Sequence, residues 1–122
     1  MPAPPAKKFE DLLMWQKSHA LTLRVYRSTT TFPKHEVYGL ASQMRRAAVS
    51  VAANIAEGFS KRGRADKARY MNVAQASLEE LRYYVILARD LDYLKAAEGW
   101  DEVDDVARML GAYSRTLLAP SS

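Results

Sequence analysis

Apolar residues recur at helical spacing in four blocks of the chain, and no stretch alternates with the period of two that marks a strand. The first block, about residues 10–29, places Leu12, Leu13, Ala20 and Leu23 on one stripe, widened by Trp15, Val25 and Tyr26. Three threonines and then Phe32-Pro33 end it, because β-branching and a following proline both oppose helix. The second block, about 34–57, starts where Pro33 suits a first turn and closes at Gly58 as a C-terminal stop. Its seam is Val37, Ala41, Met44, Ala48, Val51 and Ile55, the alternating steps of four and three that define a heptad. The third, about 65–94, continues that alternation through Tyr70, Ala74, Ser77, Leu81, Tyr84, Ala88 and Leu91, with Met71, Leu78 and Val85 as a second stripe. The fourth, about 100–118, carries Val103, Val106, Leu110, Tyr113 and Leu117. It opens with Asp101, Glu102, Asp104 and Asp105, acids suited to the positive end of a helix dipole.

Short links between four such helices predict an all-α fold, an up-and-down antiparallel four-helix bundle over residues 9–119 behind a Pro-rich tail at 1–8. One segment is too apolar for an isolated bundle. Residues 47–56 read AAVSVAANIA, so only Ser50, Asn54 and Glu57 make a polar strip where about half of the circumference should face water. That surplus predicts a homo-oligomer, with Ala48, Val51, Ala52, Ile55 and Ala56 as its contact surface.

A length of 122 residues, 48% hydrophobic, is enough for one domain with its own core. The absence of Cys excludes disulfides, thiolate metal sites and Cys nucleophiles. The opening MPAPPAKK has proline and charge where a signal peptide is apolar, and no run approaches the ~20 residues of a membrane span. A cytoplasmic protein with no membrane partner is the expectation. The net charge of +4 conceals a split, since residues 1–75 hold thirteen Lys and Arg against five acids and residues 76–122 hold five against nine. That polarity serves either a polyanion or pairing between subunits.

Catalytic chemistry finds little support in this pattern. His19 and His35 are far apart and no Glu-x-x-His pair exists, which rules out the di-iron bundle site. The neighbouring acids Glu79-Glu80 and Asp104-Asp105 cannot share a helix face as a general acid and base would. Residues 58–65, GFSKRGRA, imitate a phosphate loop, but Arg64 and Ala65 replace its lysine and hydroxyl, and helices flank it where a strand should. A non-enzymatic protein without a cofactor is expected. The candidate nucleic-acid site is the cluster Lys61, Arg62, Arg64, Lys67 and Arg69, faced by the single acid Asp66 and flanked by Phe59 and Tyr70. Arg45 and Arg46 sit mid-helix, where a cation is costly unless paired. Counted outward from the turn they fall near Glu79 and Glu80, which predicts ion pairs between the second and third helices, or an interface, with direct ligand contact as the alternative.

Longer motifs accompany these features: F-x-D-L-x-x-W-Q at 9–16, F-P-K at 32–34, Y-G-L at 38–40, Q-x-R-R-A at 43–47 and S-x-x-x-N-I-A-E-G-F at 50–59. A-x-x-S-L-x-E-L at 74–81 and L-x-Y-L at 91–94 follow. Together, over residues 9–118, they resemble the bacterial four-helix bundle proteins encoded by intervening sequences in 23S ribosomal RNA genes. The resemblance implies a homopentamer, a barrel of five bundles, with an activity connected to RNA and no defined catalytic residues. That family is similar in fold to the accessory variability proteins of diversity-generating retroelements, pentamers that partner a reverse transcriptase and its template RNA. The implied partners are therefore further copies of the chain, ribosomal or retroelement RNA, and a reverse transcriptase. A protein-interaction scaffold, whose charges meet protein and not RNA, is the alternative. Asn54, Glu57 and Gly58 match the family motif, and a polar strip closed by a glycine accounts for them structurally.

Overall fold

A computed structural model describes residues 5–95 and 99–120, so the first half of the expected tail, residues 1–4, lies outside the described residues. Four α-helices fill the chain: α1 Leu13–Thr29, α2 Leu40–Ser60, α3 Arg64–Asp90 and α4 Asp101–Leu118. Short 3-10 turns stand at Phe9–Asp11 and Lys34–Glu36, and no strand occurs among the described residues. Each helix packs against two others, α2 against α1 and α3, and α4 against α3 and α1. The core between them is built from Met44, Ile55, Met71, Leu78, Leu81 and Leu110, all essentially inaccessible.

Apart from Val37, which precedes α2 and is exposed, the heptad of the second helix is realised in this core, with one consequence for assembly. Ala48, Val51 and Ile55 are at most 1% exposed inside a single chain, so they pack the subunit's own interior and cannot form the contact surface expected of them. Ala52 and Ala56 are half-buried and remain on the outside. The interior of the bundle has first claim on the deepest residues of a seam, because burying them removes the most apolar surface from water.

The face of α1 differs from expectation. Its buried residues are Met14, Ser18, Leu21, Thr22, Val25 and Thr29, whereas Leu13, Ala20 and Leu23 are exposed. Hydroxyls enter the core because each bonds back one turn: Ser18 to the Met14 carbonyl at 2.7 Å, Thr22 to Ser18 at 2.8 Å and Thr29 to Val25 at 2.8 Å. The Thr22 hydroxyl also lies 3.2 Å from the Ala48 carbonyl and so ties α1 to α2.

Three helix ends also moved. Residues 34–39 turn before α2 begins at Leu40, whose N–H bonds the Glu36 carboxylate at 3.2 Å. The other end of α2 runs to Ser60, past Gly58, which is buried within the helix and is not a stop. A Cβ at Gly58 would lie 2.5 Å from the Met71 Cε and 2.8 Å from the Tyr70 Cβ, so the glycine lets α2 and α3 approach closely. In α3 the deepest positions are Met71, Ala74, Leu78, Leu81, Val85 and Ala88, while Tyr70 and Tyr84 sit half-buried at the border. The helix ends at Asp90, four residues before the expected 94. Asp92 takes φ 62, and N–H groups of Tyr93 and Asp92 bond the carbonyls of Ala88 at 2.9 Å and Arg89 at 3.0 Å. This is a Schellman ending with aspartate in the position usually held by glycine.

Candidate nucleic-acid interface

The connection between α2 and α3 is only three residues, 61–63, and it gathers the predicted cations at one end of two long helices. Most of them have intramolecular partners. The Lys67 ammonium donates to the Phe59 carbonyl at 2.7 Å and lies 5.1 Å from the Phe59 ring centre, satisfying an orphan carbonyl of the last turn of α2. The Lys61 ammonium stands 5.1 Å from the Tyr70 ring centre. Arg69 pairs with Asp66 at 2.7 Å on the exposed surface, a contact worth at most about 1 kcal/mol. Arg62 and Arg64 are exposed, and no ion pair among the described residues engages them. The five candidates are thus brought together, but two arginines are uncommitted, and Phe59 and Tyr70 lie beneath ammonium groups.

Arg45 and Arg46 form no ion pair with Glu79 or Glu80. Glu79 pairs with Arg82 at 3.3 Å, and Glu80 accepts from the Tyr84 hydroxyl at 2.7 Å, which raises the tyrosine's pKa. Arg45 turns to α1, where its Nε donates to the Thr29 hydroxyl at 2.9 Å and its Nη2 to the Tyr26 carbonyl at 3.4 Å. Its guanidinium also lies 4.9 Å from the Tyr26 ring centre. For Arg45 the reason is helical phase: the hydroxyls of Ser50 and Ser77, 2.8 Å apart, fix the face of α2 that meets α3, and Arg45 projects roughly 140° around the helix from Ser50. Arg46 lies only about 40° from Ser50, and there the acids are already engaged, Glu79 by Arg82 and Glu80 by Tyr84.

Arg45 and Arg46 instead line an open cavity of about 530 Å³ with Tyr26, Val37, Tyr38 and Val49, and with the serines 42 and 50. Among the described residues no acid contributes to this lining. The periodicity hides this cavity, because it places Val37 in the seam of the second helix. The late start of α2 releases it, and Tyr38 beside it is 96% exposed. Val49 also borders a second cavity, about 380 Å³, which is almost wholly apolar. Trp15 and His19 stack 5.0 Å apart on its α1 side, Phe9 meets Trp15 edge-on at 5.0 Å, and Ala52, Ala53 and Ala56 supply its α2 side.

The acidic start of α4 is largely engaged within the chain. Arg24 donates to both oxygens of Glu102, at 2.6 and 2.7 Å, and covers the Trp100 ring at 4.0 Å. Arg82 reaches Asp104 at 2.6 Å, and Arg108 pairs with Asp105. In the link between α1 and α2, the Glu36 carboxyl is held below its ordinary pKa by the Leu40 N–H and by the Tyr93 hydroxyl at 2.9 Å. Among the described residues no group of three or more His, Cys, Asp or Glu is arranged to hold a metal ion. No described helix is long and apolar enough to cross a membrane.

Comparison with known proteins places this architecture. A crystal structure of a protein of unknown function from the S23 ribosomal protein family of Bacteroides thetaiotaomicron superposes with a TM-score of 0.60 at 19% identity, covering 87% of this chain and 95% of that one. At that identity the likeness concerns the fold alone. Among curated proteins nothing matches the chain. The family model described as 23S rRNA-intervening sequence protein matches residues 10–112, nearly the whole span from the first 3-10 turn through most of α4, and the chain belongs to that family.

Proposed function

We propose that this protein is a non-enzymatic, homo-oligomeric helical bundle that binds structured RNA through the connection between α2 and α3, as an accessory factor to ribosomal or retroelement RNA. The observation that carries the reading is the pair Arg62 and Arg64, exposed and uncommitted at a turn where Lys61 and Lys67 add further positive charge. Cations so placed neutralise phosphates without reading bases, so affinity falls steeply with salt. Replacing Lys61, Arg62 and Arg64 together by Glu abolishes binding to a ribosomal RNA hairpin in a filter or anisotropy assay and leaves the melting temperature nearly unchanged. Wild-type binding that is indifferent to salt, or a triple variant that binds normally, refutes it.

Within each subunit we read the helices as up-and-down and antiparallel. Support comes from the order of cross-helix contacts: Thr22 meets Ala48 while Thr29 meets Arg45, and Ser50 meets Ser77 while Phe59 meets Lys67. Oligomerisation is supported by the apolar cavity between Phe9, Trp15 and the outer alanines of α2, and five is the number of copies that the family resemblance implies. Ala53→Arg, which puts a charge in that cavity, lowers the mass measured by light scattering if this is the subunit contact.

The same apolar cavity favours a second reading, in which the bundle is a scaffold that docks a partner protein such as a reverse transcriptase. Pull-down with and without ribonuclease separates the two. Partners lost on ribonuclease treatment fit RNA, and partners retained fit the scaffold.

A further inference from the structure

We infer that the cavity between α1 and α2 is a site for one unpaired nucleotide of an RNA strand, held by phosphate contacts to Arg45 and Arg46 with its base on Tyr38. The inference rests on the RNA reading above but concerns a different surface and a different form of RNA. Arg45 uses two of its nitrogens on Thr29 and Tyr26, so most of its five N–H donors are left over while its position is fixed by those two bonds and by the Tyr26 ring. Arg46 is exposed beside it with no ion pair among the described residues. Two arginines on the lining of one cavity, with no acid beside them among the described residues, attract an anion, and guanidinium matches phosphate with paired hydrogen bonds.

Charge alone would fit any anion, and the aromatic component narrows the class. Tyr38 is 96% exposed, next to Val37 at 52%, on a turn that precedes α2 and stands at the mouth of the cavity. An aromatic ring so free of the core offers a stacking face to a base, which is how single strands are bound without sequence preference. A volume of about 530 Å³ has room for one nucleotide, and a base already stacked inside a duplex is not free to lie on Tyr38. The hydroxyl of Ser42 provides a further polar contact at the wall.

The test uses the full chain in its natural assembly and two labelled probes, a ten-residue oligouridine and a base-paired ribosomal RNA hairpin, at about 100 mM salt. Tyr38→Ala and Arg46→Ala, both at exposed positions, are expected to weaken oligouridine binding about tenfold while Tyr38→Phe keeps it. Arg46→Ala should also make the slope of log affinity against log salt shallower by about 0.7, the value for one lost phosphate contact on a single strand. Ultraviolet cross-linking of a 4-thiouridine version of the oligomer should label Tyr38. If oligouridine binds the two alanine variants as it binds the wild type, or cross-links only within residues 61–70, the cavity is not the site and the inference falls while RNA binding at the turn stands. If the wild type binds the hairpin but not oligouridine, the inference falls alone. If it binds neither probe, the RNA reading falls with it.

Discussion

Gly58→Ala measures how closely α2 and α3 are locked. The added Cβ would lie 2.5 Å from the Met71 Cε and 2.8 Å from the Tyr70 Cβ, against the roughly 3.5–4.0 Å at which carbons rest. Met71 is fully buried, so its methyl group has no free space to enter, and the Tyr70 Cβ is one bond from the backbone of α3. Relief requires the helices to part by about half an ångström or more. Overpacking of this kind costs about 1–3 kcal/mol, and replacing glycine by alanine within a helix returns up to about 1 kcal/mol. The net expectation is a loss of about 1–2 kcal/mol, or roughly 3–10 °C in Tm for a domain of this size. Circular dichroism at fixed protein concentration reads it, since any assembly would make Tm depend on concentration. In a Met71→Ala background the substitution should cost less by about 1 kcal/mol, because the closest neighbour has gone. Gly63→Ala, where nothing lies within 4 Å, should change stability by no more than about 0.5 kcal/mol. A Gly58→Ala protein as stable as wild type, or strict additivity with Met71→Ala, refutes the packing account.

Two other expectations follow from the same geometry. Glu36 has a folded-state pKa below its ordinary value of 4.5, so its contribution to stability is present above that pH and is lost as pH falls through the lowered value. Glu36→Gln should therefore be less stable than wild type near pH 7, with the gap closing toward pH 3; a gap constant across that range in urea titrations contradicts the assignment. Arg45→Ala should cost about 1–2 kcal/mol through lost contacts with Thr29 and the Tyr26 ring, and it should add to Glu80→Ala within about 0.5 kcal/mol. Strong coupling between those two positions would restore the abandoned ion pair.

The number of helices and most of their extents were legible because their apolar periodicities are long. What the pattern concealed was local hydrogen bonding. Ser18, Thr22 and Thr29 count as polar in any periodicity, yet their hydroxyls are satisfied one turn back, so the buried stripe of α1 was misplaced. Val37 kept the heptad intact on paper, but the Glu36 carboxylate bonds the Leu40 N–H and sets the start of α2 there. Gly58 read as a stop because glycine both ends helices and lets them touch, and only its neighbours on α3 decide between the two. Asp92 ends α3 without the glycine that would have announced it. At the candidate site the cluster of cations was legible as charge, whereas the commitments of Lys67 and Arg69 depend on where Phe59 and Asp66 lie in space. The cavity at Arg45 and Arg46 needed the register of two helices, which a heptad does not contain.

The three-residue connection between α2 and α3 also makes this fold separable. Exposed turns rich in lysine and arginine are where a trypsin-like protease cuts first, and Lys61, Arg62 and Arg64 offer it three bonds. The contacts that hold the helices together, at Gly58 with Met71, at Ser50 with Ser77 and at Phe59 with Lys67, do not pass through that peptide link. Cleavage there yields two halves of two helices each that stay associated, so a nicked molecule travels as one particle on a sizing column and as two bands on a denaturing gel. Anything seated on the turn shields those bonds, and the rate of nicking becomes a gauge of occupancy.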